Sequence, residues 1–170
     1  MEAASLKRLA HLVGLQRTAS LGTLRAGSPE VTMVLYAPSP DFSAFWLHLS
    51  RLAHHTQNIL ADSRVSLMIA EPDNREKAAQ TLARVTIQGE ASLLQGTAPE
   101  AGNVRKLYLT RFPEAETMFE LGDFALYQVV PKGGRFVAGF GKTFDLTPQD
   151  FHRAAAVMSK GSNQDVLPSQ

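Results

Sequence analysis

Residues 18–37 have the sequence Thr-Ala-Ser-Leu-Gly-Thr-Leu-Arg-Ala-Gly-Ser-Pro-Glu-Val-Thr-Met-Val-Leu-Tyr-Ala. Two β-rich runs, 18–25 and 31–37, flank a segment rich in Gly, Ser and Pro, and this pattern is typical of a β-hairpin. A hairpin joins antiparallel strands, whereas parallel strands need a long crossover connection. The stretch therefore predicts an antiparallel sheet at the start of the chain.

The remaining segments extend this sheet and surround it with helices. Further strands are predicted at 44–49, 65–70, 82–94, 124–130 and 135–140, the last two joined by a Pro-Lys-Gly-Gly turn. Helices are predicted at 3–15 and 52–61, after the cap Thr97 and after the cap Thr147. Gly89 predicts a bulge or bend in the long strand. The order predicts a mainly β chain with flanking helices (α+β), folded as a small antiparallel barrel.

The length and composition fit one globular domain. The 170 residues are 44% apolar and 19% charged. We expect a single domain over residues 1–170, with a core at about 14–145, a C-terminal helix at about 148–159 and a frayed tail at 161–170.

Charge and cysteine content exclude several function classes. Seventeen Lys and Arg against sixteen Asp and Glu leave a net charge of +1, which favours no nucleic-acid partner. The absence of cysteine excludes disulfides, iron–sulfur clusters, thiolate zinc sites and a cysteine nucleophile. No signal peptide and no stretch of about 20 apolar residues is present, so we expect a cytoplasmic protein without a membrane partner.

The densest polar cluster is Leu49-Ser-Arg-Leu-Ala-His-His-Thr-Gln-Asn58, at a predicted strand-to-helix junction. Free backbone N–H groups and the helix dipole make such a junction suitable for a phosphate. In the alternative reading, Ser50 only caps the helix and both histidines face water. Adjacent histidines point about 100° apart on a helix, so His54 and His55 do not predict a metal site. No catalytic residue is identified, since no hydrolase motif occurs.

Two weaker features lie elsewhere in the chain. Arg84, Thr86 and Gln88 share one face of a predicted strand, where they either meet solvent or line a ligand. Gly139-Phe-Gly-Lys142 either lets the backbone approach a ligand or forms an ordinary turn. No Gly-x-Gly-x-x-Gly follows a strand, so a Rossmann nucleotide site is excluded.

Taken together, these segments resemble the pyridoxamine 5'-phosphate oxidase-like FMN-binding split barrels, and most of all their haem-utilisation (HugZ-like) branch. The matching motifs are Arg17-Thr-Ala-Ser-Leu-Gly-Thr-Leu24, Leu49–Asn58, Asp62-Ser-Arg-Val-Ser-Leu67, Arg84-Val-Thr-Ile-Gln-Gly-Glu-Ala91, Asp123-Phe-Ala-Leu-Tyr127 and Val137-Ala-Gly-Phe-Gly-Lys142. The resemblance implies an antiparallel split β-barrel of the FMN-binding type and a homodimer with FMN at the subunit interface.

The same resemblance implies the cofactor-binding residues. The phosphate would be held by Ser50, Arg51, His54, His55, Thr56 and Asn58. The ring would lie along Thr32, Met33, Val34 and Leu35, with Arg84 and, as a lesser candidate, Gln88 reaching it from another strand. The oxidases' Arg and Lys phosphate ligands are replaced here by Thr32 and Ala37, and their substrate motif has no counterpart in 142–146. Vitamin B6 oxidation is therefore not expected.

Three functional hypotheses follow. The first is an FMN-binding flavoprotein, an oxidoreductase whose small-molecule substrate is unknown. The second is a haem-binding or haem-degrading protein of the HugZ type that uses the same cleft. The third is a cofactor-free dimeric binding module, which the loss of the Arg and Lys ligands keeps open.

Overall fold

The structure is a computed structural model that describes the backbone of residues 1–162 and the side chains of residues 1–159. The helices are α1 (Ala3–Leu15), α2 (His54–Ala61), α3 (Ala101–Arg111) and α4 (Pro148–Ser162), with 3₁₀ segments at Ala79–Thr81 and Pro113–Glu120. The strands are β1 (Thr18–Arg25), β2 (Ser28–Leu35), β3 (Ala37–Pro38), β4 (Phe45–Ser50), β5 (Arg64–Ala70), β6 (Arg84–Leu93), β7 (Phe124–Gly139) and β8 (Lys142–Leu146). The predicted frayed tail, 161–170, lies almost entirely outside the described residues.

The eight strands form one antiparallel sheet in the order β2-β1-β5-β6-β7-β4-β3, with β8 paired to β7. The hairpin of β1 and β2 has an unbroken register from Thr18–Leu35 to Arg25–Ser28. The sheet curls around a core that includes Leu21, Leu67 and Ile87, all fully buried. The predicted antiparallel split barrel with flanking helices is therefore confirmed.

One face of this sheet points away from the barrel core, and we call it the outer face. Across it run Met33, Ser20, Met68 and Thr86, which are cross-strand partners in successive pairs. Val31, Gly22, Ser66 and Gln88 form the next row. Residues at even spacing share a face of a strand, so these two rows lie on one continuous surface.

A second apolar cluster lies where α3 packs over β4 and β7. Trp46, Val104, Tyr108, Phe112 and Leu126 are its larger buried members. Along β4, Trp46 and His48 alternate with the barrel-core residues, so their side chains point towards α3. The chain therefore has two packed layers on opposite sides of β4.

Several predicted boundaries are wrong. The two strands predicted at 124–130 and 135–140 are one bent strand, β7, because 131–134 pair with β6 instead of turning. The predicted bulge is confirmed, since the register shifts between Gln88 and Gly89, where a Cβ would clash with the carbonyl of Val130. Strand β8 and the 3₁₀ segment Pro113–Glu120 were not predicted.

Helix starts were predicted with mixed success. Helix α4 begins at Pro148, so Thr147 occupies the predicted cap position, where the Asp150 carboxylate accepts hydrogen bonds from the Thr147 N–H and hydroxyl at 3.0 and 2.9 Å. Thr97 is not a cap, because α3 begins at Ala101 and its first residues receive no side-chain hydrogen bond. Helix α2 begins at His54 instead of residue 52, and no side chain caps it, so the alternative in which Ser50 caps this helix is also wrong.

Candidate functional site

The predicted phosphate cluster at the start of α2 contains a carboxylate. Glu30 on β2 accepts a hydrogen bond from Asn58 Nδ2 at 2.6 Å, and its other oxygen lies 3.8 Å from His54 Nδ1 and 4.0 Å from Arg25. Arg25 also donates to His54 Nδ1 at 3.3 Å. The positive charge at this helix terminus is therefore already neutralised by a negative one, which disfavours a dianion.

The histidines of this cluster differ in exposure. His54 is exposed, whereas His55 is half-buried and shares a hydrogen bond of 3.2 Å with Thr32 Oγ1. Burial lowers the pKa of His55; the Glu30 charge opposes this shift and the His54 charge adds to it. His55 is consequently neutral near pH 7 and contributes no cation.

The other predicted phosphate ligands are engaged or enclosed. Ser50 Oγ donates to Asp123 Oδ2 at 2.6 Å, and the Arg51 guanidinium donates to the carbonyl of Gly122. Asn58 is buried, and it also donates to Thr23 Oγ1 at 3.0 Å. Thr56 is fully buried, and its Oγ1 has no hydrogen-bond partner among the described residues. The cluster is thus held together by its own contacts.

The structure divides the predicted ring-binding residues between two faces. Thr32 and Val34 point towards α2 and the barrel core, whereas Met33 and Leu35 lie on the opposite side of β2. Arg84 and Gln88 are exposed, and Gln88 lies on the outer face, on a strand that β1 and β5 separate from β2. The side chains of these six residues therefore do not converge on one surface.

A different site lies beneath α3. It is a cavity of about 520 Å³, a size within the range of small-molecule sites, which is roughly 300–1,000 Å³. Its residues come from β4, β6, β7, α3, the 3₁₀ segment Pro113–Glu120 and the loops that follow β4 and β6. They include His48, Arg51, Leu93, Leu94, Arg105, Phe119, Phe124 and Leu126. We call this cavity the α3 pocket.

His48 lies in the aromatic wall of the α3 pocket. Its ring stacks on Phe119 with centroids 3.8 Å apart and planes 10° apart, and it also contacts Phe124 and Tyr108 at 5.2 and 5.7 Å. Burial, with a smaller contribution from the Arg105 charge, lowers the pKa of His48 to about 4. The imidazole is therefore neutral near pH 7, the form that binds metals.

Sequence reasoning did not select His48, because it weighed histidines by their neighbours in the chain. One available signal was the alternation of Trp46 and His48 with core residues in the run 44–49. That alternation places both side chains on one face of a strand. The residues that complete the pocket, Arg105 and Phe119, lie more than fifty positions away and carry no local signal.

Two searches of the described residues were negative. None of their helices is long and apolar enough to cross a membrane. Within residues 1–159, no group of three or more His, Asp or Glu side chains is arranged to hold a metal ion by itself.

Comparison with known proteins finds a family match and two curated relatives, both of them haem oxygenases. Residues 6–138 match the pyridoxamine 5'-phosphate oxidase family. The chain is 35% identical over 119 residues to the chloroplast haem oxygenase HOZ of Arabidopsis thaliana, covering 69% of this chain and 34% of the relative. It is 26% identical over 137 residues to the haem oxygenase HutZ of Vibrio cholerae, covering 79% of this chain and 77% of the relative.

The fold has matching solved structures. A haem-binding protein from Mycobacterium smegmatis superposes with a TM-score of 0.79 at 22% identity, covering 98% of this chain and 70% of that chain. At this identity the similarity concerns the fold alone. The chain spans about a third of the length of the Arabidopsis relative.

The prediction that the cofactor is FMN is wrong. The curated relatives are haem oxygenases, and in the predicted phosphate cluster the Glu30 carboxylate lies beside Asn58 and His54, where its negative charge disfavours a phosphate. The family prediction itself is confirmed by the match over residues 6–138. The chain belongs to the pyridoxamine 5'-phosphate oxidase family.

Proposed function

We propose that this protein binds haem and takes part in haem degradation. Two relatives that match more than two thirds of this chain are haem oxygenases. The observation that carries the proposal within this chain is the α3 pocket, in which a neutral imidazole, an aromatic wall and two guanidinium groups meet.

The donor set of the α3 pocket suits an iron porphyrin. The macrocycle is flat and apolar, and three leucines and two phenylalanines are among the residues that line the cavity. Its two propionates are anions, and the exposed Arg105 lies among the lining residues, whereas Arg51 already donates to the carbonyl of Gly122. Iron takes histidine as an axial ligand in many haem proteins.

The chain's own residues would bind and orient the macrocycle and exclude water from one of its faces. Phe124 and the leucines of the lining would provide apolar surface for the ring, and Arg105 would pair with a propionate. Bound haem supplies the electron-transfer and dioxygen chemistry itself.

The partner we propose is a second copy of the chain that covers the outer face. Val31 and Met33 are 68% and 69% exposed there, and Met68 is 40% exposed. Val31 and Met33 are neighbours on this face of β2, and Met68 lies beyond Ser20 on the same face. Exposed apolar side chains grouped on one face are typical of an interface. Sedimentation of the apoprotein tests this: a dimer is expected, and Met33→Glu should yield monomers. A wild-type monomer at micromolar concentration contradicts it.

Haem titration tests the proposed function. The apoprotein is titrated with hemin, and the Soret band is followed against free hemin in buffer. Saturable binding near one hemin per chain is expected, followed by loss of the Soret band when ascorbate is added in air. Absence of saturable binding overturns the proposal. Binding without loss of the band restricts it to a haem carrier.

A further inference from the structure

The helix that covers the α3 pocket is fastened to the barrel at one end only. We propose that α3 is a lid over this cavity, hinged at its C-terminal end and opening at its N-terminal end. This goes beyond the proposed function, because such a lid would control entry to the cavity for any small molecule that binds there.

The C-terminal end of α3 is bonded to the junction between α1 and β1. Arg111, the last residue of α3, donates to the carbonyl of Gly14 at 2.7 Å and to the carbonyl of Gln16. Its guanidinium also lies 5.4 Å from the centre of the Tyr36 ring. Hydrogen bonds from a charged donor are stronger than those between neutral groups. These contacts fix the position of this end of the helix relative to the barrel.

The residue that follows α3 strengthens the same anchor. Phe112 is fully buried, and its N–H donates to the carbonyl of Tyr108 at 2.8 Å. The Arg17 guanidinium lies over the Phe112 ring, 4.9 Å from its centroid, and is paired with Glu114. A buried aromatic ring removes a large apolar area from water. The hinge is therefore expected at Arg111 and Phe112.

The N-terminal end of α3 is held more weakly. No side chain caps it, and residues 99, 100, 102 and 103 are exposed. Gly102 and Asn103 are poor helix formers, and a Cβ on Gly102 would lie in open space, so no packing contact requires glycine there. Proteins open locally where buried contacts are few and backbone hydrogen bonds are exposed to water. The first turn of α3 is therefore the part of the helix that opens most readily.

The α3 pocket lies beneath the end that is free to move. The α3 residues that line it are Ala101, Gly102 and Arg105, and the loop before α3 adds Gln95 and Gly96. Residues 106–111 do not line it. Lifting the first turn would therefore widen the mouth of the cavity while the anchor at the other end stays intact. Lids that move in this way admit a ligand and then exclude water from it.

Thiol labelling measures how often the lid opens. The chain has no cysteine, so Leu126→Cys places a single thiol in the lining of the pocket, at a position that is only 9% exposed. Its rate of reaction with N-ethylmaleimide is followed by mass spectrometry in four variants made in this background. Two are Asn103→Ala and Asn103→Gly, at the free end, and the matched controls are Thr110→Ala and Thr110→Gly, at the anchored end. Both positions are exposed, and neither lines the pocket.

The two pairs should respond differently. Glycine weakens a helix relative to alanine, so Asn103→Gly should be labelled roughly five-fold faster than Asn103→Ala. The Thr110 pair should differ by less than about two-fold, because residue 110 stays helical when only the first turn opens. Equal rates within the Asn103 pair overturn the proposal. An equal ratio in both pairs also overturns it, because the thiol then reacts through unfolding of the whole helix.

Hydrogen exchange tests the hinge without the introduced cysteine. In the wild-type chain, the amides of residues 104–107 should exchange about ten-fold faster than those of residues 109–111, after correction for intrinsic rates. Arg111→Met removes both hydrogen bonds to the α1–β1 junction and should abolish this difference. Uniform exchange along α3 in wild type, or a difference that persists in Arg111→Met, would show that Arg111 does not anchor a lid. Neither measurement uses hemin, so both remain decisive if the proposed function fails.

Discussion

Two regions of the molecule contain histidine next to arginine, and they use these residues differently. At the start of α2, His54 and His55 are hydrogen-bonded to Arg25 and Thr32, and Glu30 balances the charge. In the α3 pocket, the His48 side chain has no hydrogen-bond partner among the described residues and is held by aromatic contacts instead.

The difference shows what makes a polar side chain available to a ligand. A group whose hydrogen bonds are already satisfied must lose them before it can bind something else, whereas a group oriented by apolar packing loses nothing. The α2 cluster is richer in polar residues, yet the α3 pocket has the free nitrogens.

The largest expected effect is on the free energy of unfolding, when the Tyr108 ring that packs against His48 is removed. Tyr108 is 2% exposed and contacts His48, Phe112 and Phe119. Tyr108→Ala should lower the free energy of unfolding by about 3–5 kcal/mol, the usual cost of removing a buried aromatic ring. Urea unfolding measures it. Tyr108→Phe, which keeps the ring, should cost less than about 1.5 kcal/mol; equal losses would show that the hydroxyl, not the packing, supports this region.

Removing hydrogen bonds from the α2 cluster should lower the free energy of unfolding by a smaller amount. Asn58 is 6% exposed and donates to Thr23 and Glu30. Asn58→Ala should lower the free energy of unfolding by about 1–3 kcal/mol, because both acceptors lose their partner. The same urea unfolding measures it, with the exposed neighbour Gln57→Ala as the control. No loss in Asn58→Ala would mean that water replaces the amide at no cost.

Most of the fold could be predicted from the sequence because it depends on local patterns. The hairpin 18–37, the helix 3–15 and the bulge at Gly89 are each determined by periodicity or by one turn residue. The segment 131–134 was misassigned because Pro-Lys-Gly-Gly has a turn composition. Here the glycines serve the close approach of β6 to β7, a long-range contact that composition does not reveal.

The candidate site was less predictable for a related reason. The motif Leu49–Asn58 is contiguous in the sequence, so it was predicted to bind the cofactor phosphate. Its neutralising partner, Glu30, lies on a different strand. Equally, the α3 pocket is assembled from five separate elements. Tertiary contacts decide which side chains find a hydrogen-bond or ion-pair partner, and local spacing in the sequence does not reveal those contacts.

The free energy of unfolding should depend on pH more strongly in wild type than in a variant without His55. The folded-state pKa of His55 is lowered, mainly by burial. Below about pH 6.5 the unfolded chain therefore binds more protons at this position than the folded chain, and stability falls as pH falls. Urea midpoints at pH 7 and pH 5 should differ less in His55→Gln than in wild type. An identical pH slope in both proteins would show that His55 is as open to water as in the unfolded chain.

The smallest expected effect is on hemin affinity, when one arginine is removed from either region. Arg105 is exposed, so its contact with a propionate should contribute only about 0.5–1 kcal/mol, or roughly two- to five-fold in hemin affinity. Arg105→Gln should show this loss at low salt and less of it in 0.5 M NaCl, because exposed charges are screened. Arg25→Gln removes an equal charge from the α2 cluster, where Glu30 already pairs with it, and should leave hemin affinity unchanged. If Arg25→Gln instead gives the larger loss, the propionates lie at α2, and the contrast between the two regions is reversed.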